Sequence, residues 1–448
     1  MDESTSLPSN QQSLRFIEVD GLFGGARQGI DLESGAPTIL TGANGSGKST
    51  ILRLVNALSN GSIVNLLSAP LDYCRLSFDQ GPDFELSRSD SGITLSWGKE
   101  KSVLSTANQI STLPDWVVEA WETRDFDFSA LIEDLGDIAQ YNGVPFAEYR
   151  DVRNMLRHGK FSSEEILEKP EWLDEFGLGF PVLFVADQRL ISEAKTRSAR
   201  PSTSPQTTRR AVEVASGDIA QRLRSADSDY ARAAQVMDRK LAEELIRRMG
   251  SSAGNVGEDA VAELIATVDE RRKVLQNIGL LDENSSAGAS FGNAGLEDVA
   301  VRRVVQVVLE STLQNFEVFD DLERRLTTFK RFLDGRLNPK RLELDRQVGM
   351  QFGIPEQRPV RPRQLSSGEQ QITVLAYEIL FKTKPSTLVI IDEPEISLHV
   401  SWQDSLVDDL QRMGEASSVQ FLLATHSPMI LAGHPGLERP LRGRGFSA

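Results

Sequence analysis

Residues 42–49 read Gly42-Ala43-Asn44-Gly45-Ser46-Gly47-Lys48-Ser49, a complete G-x-x-x-x-G-K-[ST] phosphate-binding loop. The glycines let consecutive backbone N–H groups converge on phosphate oxygens. Thr38-Ile39-Leu40 ahead of the loop reads as a short buried strand. Ser49 to Leu58 reads as a helix, with Ile51, Leu52, Leu54, Val55 and Leu58 at helical spacing. Strand, glycine loop and helix are the setting the motif needs, because the helix N-terminus favours anions. In it, Gly42, Asn44, Gly45, Gly47, Lys48, Ser49 and Thr50 are the candidate phosphate-binding residues. Lys48 is expected to reach the β- and γ-phosphates of a nucleotide such as ATP, and Ser49 to ligate Mg²⁺.

The complement to this loop lies far downstream. Leu388-Val389-Ile390-Ile391-Asp392-Glu393-Pro394 is an apolar strand ending in two carboxylates. Asp392 is placed to hold Mg²⁺ and Glu393 to orient and deprotonate an attacking water. The strand Val419–Ala424 ends at Thr425-His426-Ser427, where a histidine can hydrogen-bond a γ-phosphate and that water. Leu365-Ser366-Ser367-Gly368-Glu369-Gln370 opens a helix. Ser366 or Ser367 can cap it, and its small residues allow a close approach to phosphate. Gln188, after the strand Pro181–Ala186, reads either as a coupler of Mg²⁺ and water to the inserted region or as an ordinary polar loop residue.

Between these motifs the chain divides by pattern. Residues 1–13 read as a disordered tail, 14–110 as the first part of an α/β head, and 111–180 as an acidic helical insert. Residues 181–193 hold a core strand and the Gln188 segment, and 194–339 a helical insertion with flexible breaks. Residues 340–448 hold the rest of the head. Alternation over 71–97, with turns at Gly81-Pro82 and Ser91-Gly92, predicts an antiparallel hairpin layer. Residues 194–210 read as an exposed loop, followed by helices over 215–249, 257–278 and 297–334. Arg341–Leu344 and Gln351–Ile354 read as strands returning to the head, and Gly368–Phe381 as helical.

Composition narrows the class. No apolar run approaches the roughly 20 residues that span a bilayer. The start, Met1-Asp2-Glu3-Ser4-Thr5-Ser6, does not read as a signal or transit peptide. Cys74 is the only cysteine, which excludes intramolecular disulfides and cysteine zinc sites. The expectation is a cytoplasmic protein without a membrane partner. A net charge of −16 argues against general coating of nucleic acid. The arginine clusters at Arg209-Arg210, Arg247-Arg248, Arg271-Arg272-Lys273, Arg302-Arg303, Arg324-Arg325 and Lys340-Arg341 leave two readings. They are solvated helix faces paired with acids, or a phosphate-tracking stripe.

Together these residues resemble the ABC-type ATPases, and within them the soluble RecF/SMC-like and OLD-like branch. The stretches that carry the resemblance are Leu365–Gln371, Asp392-Glu393-Pro394-Glu395-Ile396-Ser397-Leu398-His399 and Ala424–Pro428. Transporter ATPases usually show Ser-Gly-Gly-Gln and a small residue in place of Glu395, with a far shorter insert. The resemblance implies an α/β fold, a P-loop ATPase head of mixed sheet with flanking helices and an antiparallel β layer, carrying a large helical insertion. It implies ATP and Mg²⁺ as ligands and hydrolysis to ADP and phosphate, with Glu393 and His426 as catalytic residues. It also implies a homodimer or higher homo-oligomer that closes face to face over ATP. Ser366, Ser367, Gly368 and Glu369 would then act in trans, on ATP held by Lys48 of the other copy, with Leu398-His399 near the same interface.

Many such ATPases resemble components of bacterial anti-phage systems of the Septu, PARIS and retron-associated kinds. There they serve as nucleotide-gated sensors or scaffolds for a nuclease. The chain ends soon after His426, so the expected nuclease is a separate polypeptide. A DNA-repair or DNA-end-binding ATPase, with the arginine-bearing helices as its groove, is the alternative; a transporter subunit is the third reading.

Overall fold

In the computed structural model of the chain, the described residues are 12–33, 35–89, 92–105, 138–139, 144–145, 149–150, 170–185, 205–250, 257–282, 296–397 and 400–441. Two compact units emerge, one from residues 1–189 with 383–448 and one from 190–382. The first contains β1 (Leu14–Asp20), β2 (Gln28–Asp31), β3 (Thr38–Thr41), α1 (Lys48–Asn60), α2 (Ile63–Ser68), β4 (Tyr73–Phe78), β5 (Phe84–Ser89), β6 (Gly92–Trp97), β7 (Glu100–Ser105), α3 (Glu171–Gly179) and β8 (Val182–Val185). The second contains α4 (Pro205–Gly250), α5 (Glu258–Asn277), α6 (Val299–Phe316), α7 (Asp320–Arg336), β9 (Arg341–Asp345), β10 (Gly349–Gly353) and α8 (Ser367–Tyr377). The chain completes the first unit with β11 (Leu388–Asp392), α9 (Pro394–Ser397), α10 (Val400–Gln403), α11 (Leu406–Ser417), β12 (Gln420–Ala424), α12 (Pro428–Leu431) and β13 (Glu438–Pro440).

The first unit is built on two sheets. One is antiparallel, in the order β2-β1-β4-β5-β6-β7. The other is parallel, in the order β13-β3-β12-β11-β8. β3, β11 and β12 are buried at every position, as parallel strands covered on both faces must be. β4 instead alternates, sending Cys74 and Leu76 inward. One core joins both layers across α1, drawing Ile17 and Leu76 from the antiparallel sheet, Ile51 and Leu52 from the helix, and Leu40, Ile390 and Leu422 from the parallel sheet. An aromatic wedge seals the far side. Phe176 of α3 lies 4.6 Å from Phe84, 5.7 Å from Trp97 and 5.9 Å from both Phe78 and Phe180, ring centre to ring centre.

The α/β head with a helical insertion is as expected, and so is the antiparallel layer, which runs one strand beyond residue 97, to Ser105. The helical region differs in detail. α4 begins at Pro205, inside the stretch read as a loop, and runs for 46 residues. Its buried positions, Val212, Ala215, Ile219, Leu223 and Ala226, keep helical spacing. The helix expected over 297–334 is broken by a 3₁₀ turn at Glu317–Phe319. That turn brings Phe316 and Phe319 onto one face, since residues three apart eclipse in a 3₁₀ turn, and both rings stack on Tyr230. β9 and β10 pair with each other as a sheet of their own and do not join the parallel sheet. α8 stops at Tyr377 and passes into a π turn over Glu378–Lys382. Arginines capture the carbonyls there, with Arg325 donating to Leu380 O at 2.6 Å and Arg222 to Phe381 O at 3.0 Å.

Phe176 is 1% exposed, so Phe176→Ala leaves a cavity at the centre of the wedge. It is expected to lower the melting temperature by about 5 °C or more, measured by thermal unfolding.

Candidate nucleotide site

The parallel sheet brings four loops to one edge. Asp392 stands opposite Ala424, and Ala424 opposite Leu40. The C-terminal ends of β3, β12 and β11 therefore lie level, and in an open parallel sheet that edge is where ligands bind. The phosphate loop leaves β3 there, Thr425-His426 leaves β12 and Asp392-Glu393 ends β11. Backbone bonds tie the ends together: Thr425 N–H donates to Leu40 O at 3.2 Å and Glu393 N–H to Ala424 O at 2.9 Å.

The loop itself needs its glycines. Gly42, Gly45 and Gly47 have φ of 148°, 77° and 95°, conformations that L residues rarely adopt. At Gly47 a Cβ would also come within 2.3 Å of Leu22 Cδ2. At Gly45 it would meet nothing among the described residues within 4 Å, and Ala43, Asn44 and Gly45 are exposed, so the loop tip is open to a ligand. Lys48 is curled back into the loop, donating to Gly42 O at 3.0 Å and Ala43 O at 3.3 Å. Burial lowers its pKa, against the opposing pull of Glu393, Asp392 and Glu395, and the net direction is down. Ser46 Oγ is buried in the loop with no hydrogen-bond partner among the described residues. A phosphate group would satisfy both side chains. Ser49 and Thr50 lie half-buried in the first turn of α1.

Ser49 Oγ donates to Asp392 Oδ1 at 3.1 Å across 343 residues of sequence. One hydroxyl and one carboxylate oxygen, set beside an anion loop, fit Mg²⁺, which takes few protein ligands and completes its shell with water and phosphate oxygens. Glu393 follows at φ 45°, a left-handed conformation that costs a non-glycine residue energy and is found where function requires it. His426 is exposed, whereas its neighbours Thr425 and Ser427 are buried, so its imidazole is presented outward from the edge.

The signature residues belong to the second unit. Ser366 caps α8 in a reciprocal box, with Glu369 N–H reaching Ser366 Oγ at 3.4 Å and Ser366 N–H reaching Glu369 Oε2 at 2.8 Å. Lys340 Nζ grips both Glu369 oxygens, at 2.6 and 2.8 Å. Burial would raise the Glu369 carboxyl, but the bonds from Lys340 and Ser366 outweigh it and hold it below the ordinary value. Glu369 is thus committed to its own helix, and Ser366, Ser367 and Gly368 are left exposed. Gln188 and Leu398-His399 lie outside the described residues.

Three contributors stand outside the motif readings. Glu395 accepts hydrogen bonds from Thr425 Oγ1 and His426 N–H, Gln403 accepts one from Ser427 Oγ, and Lys340 holds Glu369. Their partners lie 24 to 31 residues away, so no local pattern marks them. The one visible hint is Glu395, at a position where transporter ATPases carry a small residue.

A family model described as "AAA domain, putative AbiEii toxin, Type IV TA system" matches residues 259–432. The chain is 22% identical over 201 residues to a "Putative peptide import ATP-binding protein" of Brucella melitensis, covering 42% of this chain and 59% of that protein. A protein of the same description from Brucella ovis matches equally, at 22% over 201 residues. The chain thus spans 59% of the length of these relatives. Among solved structures, the Smc head domain of Pyrococcus furiosus, bound to the C-terminal domain of ScpA, aligns at a TM-score of 0.36 and 16% identity, covering 94% of this chain and 91% of that one. The SMC head domain of Thermotoga maritima aligns at 0.35 and 11%, with the same coverage.

Lys48→Ala removes the cation that faces the loop. ATP affinity, measured by isothermal titration calorimetry in Mg²⁺, is expected to fall at least about tenfold, the loss of one charge-assisted phosphate contact.

Proposed function

We propose that this chain, a P-loop ATPase of the ABC type in fold and motif set, closes as two copies over two ATP molecules and uses their hydrolysis to control an effector. The observation that carries the hydrolytic reading is the 3.1 Å pairing of Ser49 with Asp392 beside the Lys48 loop. ATP-binding relatives support the same substrate.

The chemistry follows from the chain's own groups. When ATP enters, Lys48 exchanges the carbonyls of Gly42 and Ala43 for β- and γ-phosphate oxygens, and the loop N–H groups hold the same oxygens. Ser49 and Asp392 would hold Mg²⁺, which would supply positive charge against the phosphates. Glu393 orients a water in line with the γ-phosphorus and takes its proton as the new P–O bond forms and the bond to the β–γ bridging oxygen breaks. His426 hydrogen-bonds the γ-phosphate and that water.

Closure of two copies rests on the signature helix. Gly368 lies in the first turn of α8, and glycine is a weaker helix former than alanine. An added Cβ there would meet nothing among the described residues within 4 Å. Intrachain packing therefore does not require glycine, whereas close approach by a second molecule's phosphate does. The exposed Ser366 and Ser367 add hydroxyl donors to the same helix N-terminus. Because ATP would touch both copies only when they are closed, its binding energy differs between the two states and drives the switch.

The effector reading is supported by the family description, which names a toxin of a toxin–antitoxin system. Control of a nuclease in anti-phage defence is the form we favour. A DNA-tracking groove has less support, since Arg247, Arg271, Arg272, Arg324, Arg325 and Lys340 each pair with an acid of their own unit. A transport role, which the names of the relatives suggest, is disfavoured by Ser367, Glu369 and Glu395 at the positions where transporter ATPases differ.

Glu393→Gln is expected to lower steady-state turnover by about a hundredfold or more while ATP still binds. Mixing Lys48→Ala with Ser367→Arg, each inactive alone, is expected to restore part of the turnover, because one mixed site pairs an intact loop with an intact signature. No restoration would sink the two-copy site. Phage restriction unchanged by both Lys48→Ala and Glu393→Gln would sink the effector role.

A further inference from the structure

Glu395 sits two residues beyond Glu393, in the first turn of α9. Both of its carboxylate oxygens are committed. Oε1 accepts from the His426 backbone N–H at 2.7 Å, and Oε2 accepts from Thr425 Oγ1 at 2.7 Å. Thr425 Oγ1 in turn accepts from Ser427 N–H at 3.0 Å, and Ser427 Oγ donates to Gln403 Oε1 at 2.7 Å. Gln403 Nε2 closes the ring on Glu395 O at 3.5 Å. Thr425 is 1% exposed and Ser427 9%, so the bonds to their side chains are shielded from water, where an unpaired partner is costly.

This geometry excludes one simpler role. Glu395 is more than a helix cap, because its partners are on the loop after β12 and not on α9. It fastens the backbone at His426 and the side chain just before it, and Gln403 fastens the side chain just after. The imidazole between them is the exposed element. Since Glu393 N–H bonds Ala424 O, the acid loop and the histidine loop are joined on both sides of Pro394.

We propose that Glu395 is a positioning residue that locks the His426 loop to the Glu393 loop, so that the imidazole and the general base face the γ-phosphate as one rigid pair. The proposal rests on the hydrolytic reading above. It assigns to Glu395 an effect on the chemical step that is exerted through His426 and not through nucleotide binding. A misplacement of about 1 Å at a reacting group can cost a hundredfold in rate.

The test is a double-mutant cycle in steady-state turnover, with ATP affinity and melting temperature measured on every variant. Glu395→Ala is expected to lower kcat about tenfold to a hundredfold, with ATP affinity within about twofold of wild type, because the phosphate loop is untouched. His426→Ala is expected to lower kcat about a hundredfold or more. The double variant is expected to be no slower than His426→Ala alone, the mark of two residues acting as one. Glu395→Gln keeps an acceptor for the His426 N–H and is expected to recover most of the loss. If Glu395→Ala fails to fold, Thr425→Val against Thr425→Ser makes the same comparison, with only the first slowing turnover.

Equal losses from Glu395→Ala in the presence and absence of His426 would overturn the proposal, as would a loss confined to ATP affinity or melting temperature. If His426→Ala slows turnover and Glu395→Ala does not, the positioning role alone falls. If His426→Ala changes nothing while the wild type turns over, the positioning role falls and the hydrolytic reading stands; if the wild type has no turnover, the hydrolytic reading falls and takes the positioning role with it.

Discussion

Across β3, β12 and β11, Leu40, Ala424 and Asp392 stand at one level, and the reactive groups hang within a few residues of it. Parallel pairing sets this level. A shift of one residue in β11 would carry Asp392 about 3.3 Å along the strand, off the level of Ala424 and away from Ser49. The apolar runs Leu388–Ile391 and Phe421–Ala424 are buried throughout, and it is their burial that makes such a shift costly. The bond between Ser49 and Asp392, spanning 343 residues, is thus a consequence of sheet register. The same register puts the strained Glu393 next to β12, where its N–H finds Ala424 O.

The edge is sharpened by polar contacts that act on backbone. Lys48, curled onto Gly42 and Ala43, neutralises loop carbonyls that a nucleotide would displace. Glu395 and Gln403 hold the chain on either side of His426. In the second unit the Ser366–Glu369 box and Lys340 do the same for the first turn of α8. In each case a charged or amide side chain fixes a loop, and the small or exposed residues beside it remain available to a ligand. Charge-assisted bonds suit this task because they are short and directional.

How much of this could be read in advance follows from the range of each interaction. The phosphate loop, the acid strand and the histidine loop are legible because their chemistry is written in consecutive residues next to apolar strands. The hairpin layer is legible because one face of it is buried and residues alternate. Less legible is whatever depends on a distant partner. The break at Glu317–Phe319 exists because Phe316 and Phe319 meet Tyr230, some 86 to 89 residues earlier. The π turn after Tyr377 exists because Arg222 and Arg325 claim its carbonyls. α4 starts early within a Ser-, Thr- and Pro-rich stretch, where local composition argues for a loop and Pro205 supplies a tolerated helix start. Glu369 reads as one more phosphate contact until Lys340 is seen to occupy it.

The central claim is that ATP is held between two copies, by the Lys48 loop of one and the α8 N-terminus of the other. The most direct measurement is a structure of the Glu393→Gln protein with ATP and Mg²⁺. The account predicts a γ-phosphate contacted by Lys48 of one copy and by Ser366, Ser367 or the Gly368 N–H of its partner. Nucleotide bound by a single copy, with the α8 N-terminus facing solvent, would contradict it.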